Sequence, residues 1–404
     1  MFLRSVVLFA VLVLTAQASG CPGDFDDNRQ VDFADFLALA GAYGSQQGEA
    51  GYDAVMDLDT NGSIDMADFL AFAKLFGQLC VAELTRLTNN ETIELHPTWS
   101  PPDGGKIAFL SGFEDPELWV MYADGGESLR LATSIAVDSE LYTTLAWSPD
   151  GEHIAFSSVR DGNSEIYRVG ANGDGLTRLT NNDAEDIYPS WSPDGARIAF
   201  SSNQDGNFEI YVTRPEGSDL TRLTNSTVQD LFPVWSPDSK KIAYTSIGVD
   251  SNQSKFAVIS VVDVVSATVT QLTADSEGSV LPAWSPDGTR ITFWSRRDNA
   301  RTNYGDMYVM NADGSEVTRL TYQDIWDDLW VDAAWSPDGT QVVYSAEGDG
   351  PLHVMNADGT DVKRLTNREN AEYFPAWSPD GGKVAFLSSP ETTFDIYVVE
   401  VPSE

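Results

Sequence analysis

Basic residues are scarce in this 404-residue chain: 24 lysines and arginines stand against 62 aspartates and glutamates, a net charge of −38. A nucleic-acid binder must neutralise phosphates with Lys and Arg, so the shortage excludes nucleic acid as a partner. It argues equally against an anionic membrane surface. Histidine is rarer still, with three copies, His96, His153 and His353. They fall on different strand types of the pattern described below, so they are not expected to converge on one metal. No G-x-S-x-G nucleophile elbow occurs, and we expect no catalysis. Long apolar runs are missing too. Val6–Leu14 is too short to cross a bilayer as a helix of about 20 residues. With Arg4 before it and Ala16-Gln17-Ala18 after it, this run reads as an export signal over residues 1–20. The expected location is outside the cytoplasm: the medium, the cell surface or the periplasm, with no membrane span.

Only two cysteines are present, Cys21 and Cys80, and they bracket one compact segment. In an oxidising compartment they can close that segment as a disulfide. Alternatively, Cys21 is the lipid-bearing first residue of a lipoprotein, although the Leu usual three residues earlier is Ala18 here. The disulfide accounts for both cysteines, the lipid anchor for one.

Residues 21–80 hold two twelve-residue acidic loops. The second, "DLDTNGSIDMAD", places Asp57, Asp59, Asn61, Asp65 and Asp68 at positions one, three, five, nine and twelve, with the Ser63 carbonyl at seven. Ca²⁺ takes six to eight oxygens, and this spacing wraps them round one point; Gly62 at position six permits the sharp turn. The first loop, "DFDDNRQVDFAD", repeats the set as Asp24, Asp26, Asn28, Asp32 and Asp35, with the Gln30 carbonyl at seven. Arg29 replaces the glycine there, so weaker binding is expected. The segment can hold up to two Ca²⁺ ions. Phe33, Phe36, Leu37, Ala40 and Tyr43 follow helical spacing after the first loop, as do Met66, Phe69, Leu70, Ala73 and Phe76 after the second.

Loop plus one helix, written twice in "DFADFLALAGAYG" and "DMADFLAFAKLFG", resembles the type I dockerin, an EF-hand-like module. The resemblance implies folding on calcium, chain ends close enough to suit a Cys21–Cys80 bridge, and a cohesin-like partner met through Phe33-Ala34 and Met66-Ala67. A calcium-stiffened spacer without a cohesin is the plainer alternative.

From residue 81 onward one sentence recurs. "WSPDG" and close variants are anchored at Trp99, Trp147, Trp191, Trp235, Trp284, Trp335 and Trp377, spaced by 42 to 51 residues. Each copy reads as a Trp-Ser strand, a tight turn, an alternating run such as "RIAFSS", a third run such as "EIYVM", and an outer "LTRLT". Four short strands per repeat describe a propeller blade, and seven repeats describe seven blades. The first outer strand, Leu84–Thr88, precedes the first Trp, so it is expected to complete blade seven and remove an open sheet edge. The Trp side chains are expected between neighbouring sheets. These residues resemble TolB-like (WD40-like) propeller repeats, which implies the fold and no particular partner.

The expected architecture is mainly β: a seven-bladed propeller over 81–404, closed by an N-terminal strand and preceded by the small α-helical module of 21–80. The turn-face loops are nearly uniform, whereas the opposite loops vary from "NNDAEDIYP" to "TYQDIWDDLWVDA". A rigid scaffold with differentiated loops places binding on the variable face. Five residues before Trp stand Glu94, Asp186, Asp230 and Glu372, and beside the following Pro stand His96, Tyr188, Phe232 and Phe374. They are expected to gather round the channel mouth as a rim for a cation, a basic peptide or a sugar. The function that fits best is non-enzymatic: the propeller binds a protein or glycan while the calcium module docks or spaces it. The rival readings are a polysaccharide-active enzyme attached by its dockerin and an envelope component of a TolB-like system.

Overall fold

The computed structural model describes residues 22–25, 31, 33–76, 84–136, 145–249, 255–274, 278–298, 305–322, 333–345, 350–366, 371–389 and 393–401. The export signal, both cysteines, and Asp26, Asn28, Arg29, Gln30 and Asp32 of the first loop lie outside them. The chain divides into two compact units, Met1–Val81 and Ala82–Glu404.

In the first unit, helices α1 (Phe33–Ala42) and α2 (Met66–Leu75) each follow one acidic loop. Asp65 starts α2 by accepting from the Ala67 N–H at 2.7 Å, while Asp68 accepts from the Asp65 N–H at 2.7 Å; this reciprocal cap fixes where the loop ends. The two halves are equivalent in detail. Val31 and Ile64 are both fully buried, and Leu39 and Phe72 occupy matching core positions. Phe36, Phe69 and Leu75 pack against them. The helical positions divide between two faces: Phe33, Leu37 and Tyr43, repeated as Met66, Leu70 and Phe76, are all more than half exposed. The core is small enough to be filled by one turn-face of each helix, and the second apolar face is left outside.

The described residues of the second unit form seven four-stranded antiparallel sheets, so the ring is a seven-bladed β-propeller. Blade one runs Glu94–Trp99, Lys106–Ser111, Glu117–Tyr122 and Ser128–Ala132. Blade seven takes Glu372–Trp377, Lys383–Ser388 and Asp395–Glu400 from the C-terminal end and its outer strand, β1 (Leu84–Arg86), from the other end. Leu84 pairs with Val399 and Arg86 with Tyr397, and the Leu87 N–H reaches the Ile396 carbonyl at 2.8 Å.

The repeated sentence has two physical uses. In six of the seven turns the Ser hydroxyl donates to the Asp two residues on, as in Ser192–Asp194 at 2.6 Å, and accepts the N–H opening the second strand, as in Arg197 to Ser192 at 2.9 Å; Pro101-Pro102 displaces the Asp in blade one. Those serine bonds hold the carboxyls of Asp150, Asp238, Asp287, Asp338 and Asp380 below the ordinary range. Between blades, six of the seven Trp indoles donate to the carbonyl just before the preceding blade's own Trp. Trp235 to Ser190 at 3.0 Å, Trp377 to Ala334 at 3.0 Å and Trp99 to Ala376 at 2.9 Å are examples. Trp191 is the exception; its N–H turns to Gly195 of its own blade at 3.3 Å, and its ring lies 6.4 Å from His153.

Deleting residues 1–88 is expected to lower the melting temperature of the propeller below that of a chain lacking 1–82, because only the longer deletion removes β1. Equal values in a thermal scan followed by tryptophan fluorescence would contradict closure by β1.

Candidate functional site

The second acidic loop gathers its oxygens round one point. Among the described residues, Asp57, Asp59 and Asp68 form the group of acidic, His or Cys side chains whose ligand atoms all lie within 4.8 Å of one another. Gly62, with φ of 88°, makes the left-handed turn that lets the loop close on them. Asp57 accepts from the Tyr52 hydroxyl at 2.7 Å and from the N–H groups of Asn61 and Gly62 at 3.0 and 2.8 Å. Burial pushes its carboxyl up, but these bonds outweigh burial and hold it below its usual value, ionised and ready to ligate. Asn61 Oδ1 receives the Ser63 N–H at 2.8 Å, and Asp65 serves as the helix cap. Hard oxygen donors in this arrangement fit a divalent cation such as Ca²⁺. Of the first loop, the described ligands are Asp24 and Asp35, both buried. The Phe25 N–H reaches Asp35 at 2.5 Å, matching Leu58 to Asp68 at 2.7 Å.

The propeller positions do not form a solvent-facing rim. Glu94, Asp186 and Glu372 are fully buried and Asp230 is 1% exposed. The reason lies in how the first strand meets the preceding blade. The N–H groups of Glu94, Asp186 and Asp230 donate to the carbonyls of Phe394, Ser164 and Phe208 at 2.8 to 2.9 Å. Each of those carbonyls stands one residue before an acid that opens a third strand: Asp395, Glu165 or Glu209. The sequence reading missed these partner acids. Across each blade the row continues in register, as in Asp186 opposite Ser202 and Ser202 opposite Glu209. The third-strand acid then meets the arginine of the outer strand: Arg178–Glu165 at 2.7 Å, Arg222–Glu209 at 2.9 Å, Arg319–Asp306 and Arg86–Asp395 at 2.6 Å. The signal was present in the spacing from each Ser to the acid after it and from there to the Arg of "LTRLT".

The four ring-bearing positions are backbone specials. His96, Tyr188, Phe232 and Phe374 all have φ between 51° and 57°, as does Leu281 in blade five. A proline follows each, the ladder slips there, and the left-handed residue turns its side chain out of the strand. Neighbouring blades then meet ring to ring: His96 to Phe374 at 4.1 Å and Tyr188 to Phe232 at 4.3 Å. Tyr188 and Phe374 are buried, and His96 and Phe232 half-buried. The three histidines have separate neighbours: His96 meets Phe374, His153 meets Trp191, and His353 lies 5.8 Å from Tyr344.

Residues 135–261 match the model of the TolB beta propeller domain. A stretch of 81 residues is 38% identical to the Tol-Pal system protein TolB of Alcanivorax borkumensis, covering 19% of this chain and 17% of that protein. The ring is a TolB-like propeller. The match spans less than two thirds of that relative. Two solved structures share the fold. TolB from Acinetobacter baumannii superposes with a TM-score of 0.50 at 24% identity, over 69% of this chain and 68% of that one. An oligogalacturonate lyase from Vibrio parahaemolyticus superposes with a TM-score of 0.61 at 14% identity, over 80% of this chain and 94% of that one. Among the described residues, no helix is long and apolar enough to cross a membrane.

Replacing Arg222 by Met strips the buried Glu209 of its guanidinium and is expected to cost about 2–3 kcal/mol in urea unfolding. Arg214→Met, whose pair with Asp219 is exposed on both sides, should leave the urea midpoint unchanged.

Proposed function

We propose that this chain is an exported, calcium-binding scaffold: a TolB-like propeller that holds a protein or glycan on its variable loop face, joined to a dockerin-like module that attaches it to a protein partner. The observation that carries the reading is the exposed apolar face of the first unit. Phe33, Leu37, Met66 and Leu70 are 55–63% exposed, at matching positions of two equivalent helices. Large apolar groups exposed together mark an interaction surface. The oxygen cage of Asp57, Asp59 and Asp68 supports calcium as the ion that orders this face, with Asn61, Ser63 and Asp65 completing the second site and Asp24, Asp26, Asn28, Gln30, Asp32 and Asp35 the first. A Cys21–Cys80 bridge would close the module; a lipid on Cys21 would instead tether it to a surface. The apolar run Val6–Leu14 within the prospective signal supports export, and the partner fits a cohesin-like protein.

A second reading, a polysaccharide-active enzyme on the same ring, is favoured by the fold likeness to the lyase. Cleavage of an acidic polysaccharide by the purified chain, seen as new reducing ends, would carry that reading and sink the non-enzymatic one.

Substituting Asp57 and Asp59 by Ala is expected to abolish the tighter calcium site while tryptophan-reported unfolding stays unchanged. An unaltered calorimetric calcium titration would refute the ligand assignment. In a pull-down from cell surface and medium, residues 21–80 should capture a protein only with calcium. Replacing Phe33, Leu37, Met66 and Leu70 by Ser should end that capture and leave the calcium titration intact. Capture that survives these substitutions would remove the face from the proposal.

A further inference from the structure

Among the described residues, the blade-to-blade junctions differ in how many acids stand beside each arginine. At each junction three positions meet: the residue opening the third strand of one blade, the outer-strand residue opposite it, and the residue five before Trp in the next blade. In blade one a single acid, Glu117, meets a single arginine, Arg130, at 2.7 Å. In blade five Asp306 meets Arg319 at 2.6 Å, again one of each. At the junction of blades six and seven the third strand opens after Pro351, and Glu372 supplies the single acid. It accepts the Leu352 N–H at 3.0 Å and the Thr366 hydroxyl, with Arg364 at the arginine position. Between blades four and five no acid stands at these positions, which are Val258, Gln271 and Ser279; Ser279 bonds Ser295 at 3.1 Å, and Ser295 also accepts from Arg297.

Three junctions break the balance. Glu165 and Asp186 share only Arg178, Glu209 and Asp230 share only Arg222, and Asp395 and Glu94 share only Arg86. Five of these six acids are fully buried and Asp230 is 1% exposed. With both carboxyls ionised, each site would bury one uncompensated negative charge, which a protein interior does not tolerate. We propose that each of these three pairs holds one shared proton, so that the closed ring is tightened by protonation and loosened as the pH rises from acid to neutral.

The surroundings agree. Glu165 Oε2 and Asp186 Oδ1 are buried without a hydrogen-bond partner, and so is Glu94 Oε2; oxygens in this state are where a shared proton belongs. Glu165 takes Arg178, Asn163 and the Asn182 N–H on Oε1, and Asp186 takes the Asn182 amide on Oδ2 at 2.9 Å. Asp230 takes Ser246 at 2.7 Å and faces Glu209, itself bonded to Thr224 and Arg222, with Asp205 on the outer side of Arg222 and Tyr244 nearby. Glu94 takes Thr92 and Ser111 at 3.2 and 3.4 Å and faces Asp395, which holds Arg86 and Thr88.

Within each pair the proton belongs to the first-strand acid. Burial, with the partner acid adding to it, pushes Asp230 and Glu94 up to about 7 and Asp186 up to about 6. Burial alone would raise Glu165 as well, but Thr180, Asn182 and Arg178 outweigh it and lower that carboxyl. A carboxyl raised on folding binds its proton more tightly in the folded state, so stability falls as pH rises from the unfolded value near 4 to the folded value. Above the folded value stability stays level.

The test is urea unfolding of the full chain between pH 4.5 and 8.5, read by tryptophan fluorescence. All 11 tryptophans lie beyond residue 82, so the signal reports the ring alone. The unfolding equilibrium constant should rise at least about tenfold per junction between pH 4.5 and 7. Glu94→Gln, Asp186→Asn and Asp230→Asn together imitate the protonated acids and should flatten that rise; the single Asp230→Asn should remove about a third of it if the triple variant does not fold. Glu372→Gln, at a balanced junction, should lower stability at every pH without flattening the profile. Difference infrared spectra at pH 5.5 should show a protonated carboxyl band that the amide variants lose. A level wild-type profile, or amide variants that keep the wild-type slope, would overturn the proposal.

Discussion

Between one blade and the next, an indole N–H crosses to the carbonyl that precedes the neighbouring Trp, and six of the seven junctions are made this way. The bond is possible because the Trp stands at the end of the innermost strand, where sheets converge and a large flat ring fills the wedge between them. Everything else in the ring is arranged around that wedge. The Ser-Pro-Asp-Gly turn must bring the second strand back at a fixed angle, and its serine–aspartate bonds do so. At the strand's other end a proline-linked left-handed residue swings an aromatic ring toward the neighbouring blade. In blades one and four the inner strand is thus gripped at both ends by the blade before it.

The ring itself was legible in the sequence because its signals are periodic and local. Trp spacing counted the blades, and the displaced Leu84–Thr88 announced the closure seen between Leu84 and Val399. Burial was not legible in the same way. Glu94, Asp186, Asp230 and Glu372 occupy strand ends, and an acid at a strand end reads as solvated unless its cross-blade neighbour is known. That neighbour is set by the junction geometry, which no local pattern encodes. The helices of the first unit show the same limit. Phe33 and Phe36 both keep helical spacing, but only tertiary packing decided that Phe36 turns toward the core while Phe33 faces out. The acid cage of Asp57, Asp59 and Asp68 was legible because a calcium loop is defined by short-range spacing alone.

The two units also divide their chemistry. In the first, Asp57, Asp59 and Asp68 bring their carboxylate oxygens to one point, whereas the acids at the blade junctions are met by arginines, threonines and serines of the same ring. Net charge therefore says little about where negative charge is available. Much of it inside the propeller is already spoken for, and the variable loops differ in content far more than in charge.

Closure by β1 has a consequence for the order in which the molecule is made. Arg86 and Asp395, bonded at 2.6 Å, are 309 residues apart along the chain. The strand that seals the ring is therefore synthesised before any blade, and its partner strand only at the very end. Contacts of such separation form late, since a long loop must be ordered before they repay it. Until the Asp395–Glu400 strand has been made, Leu84–Arg86 has no sheet to join, so the ring cannot close earlier in synthesis, and closure doubles as a check that every blade is present.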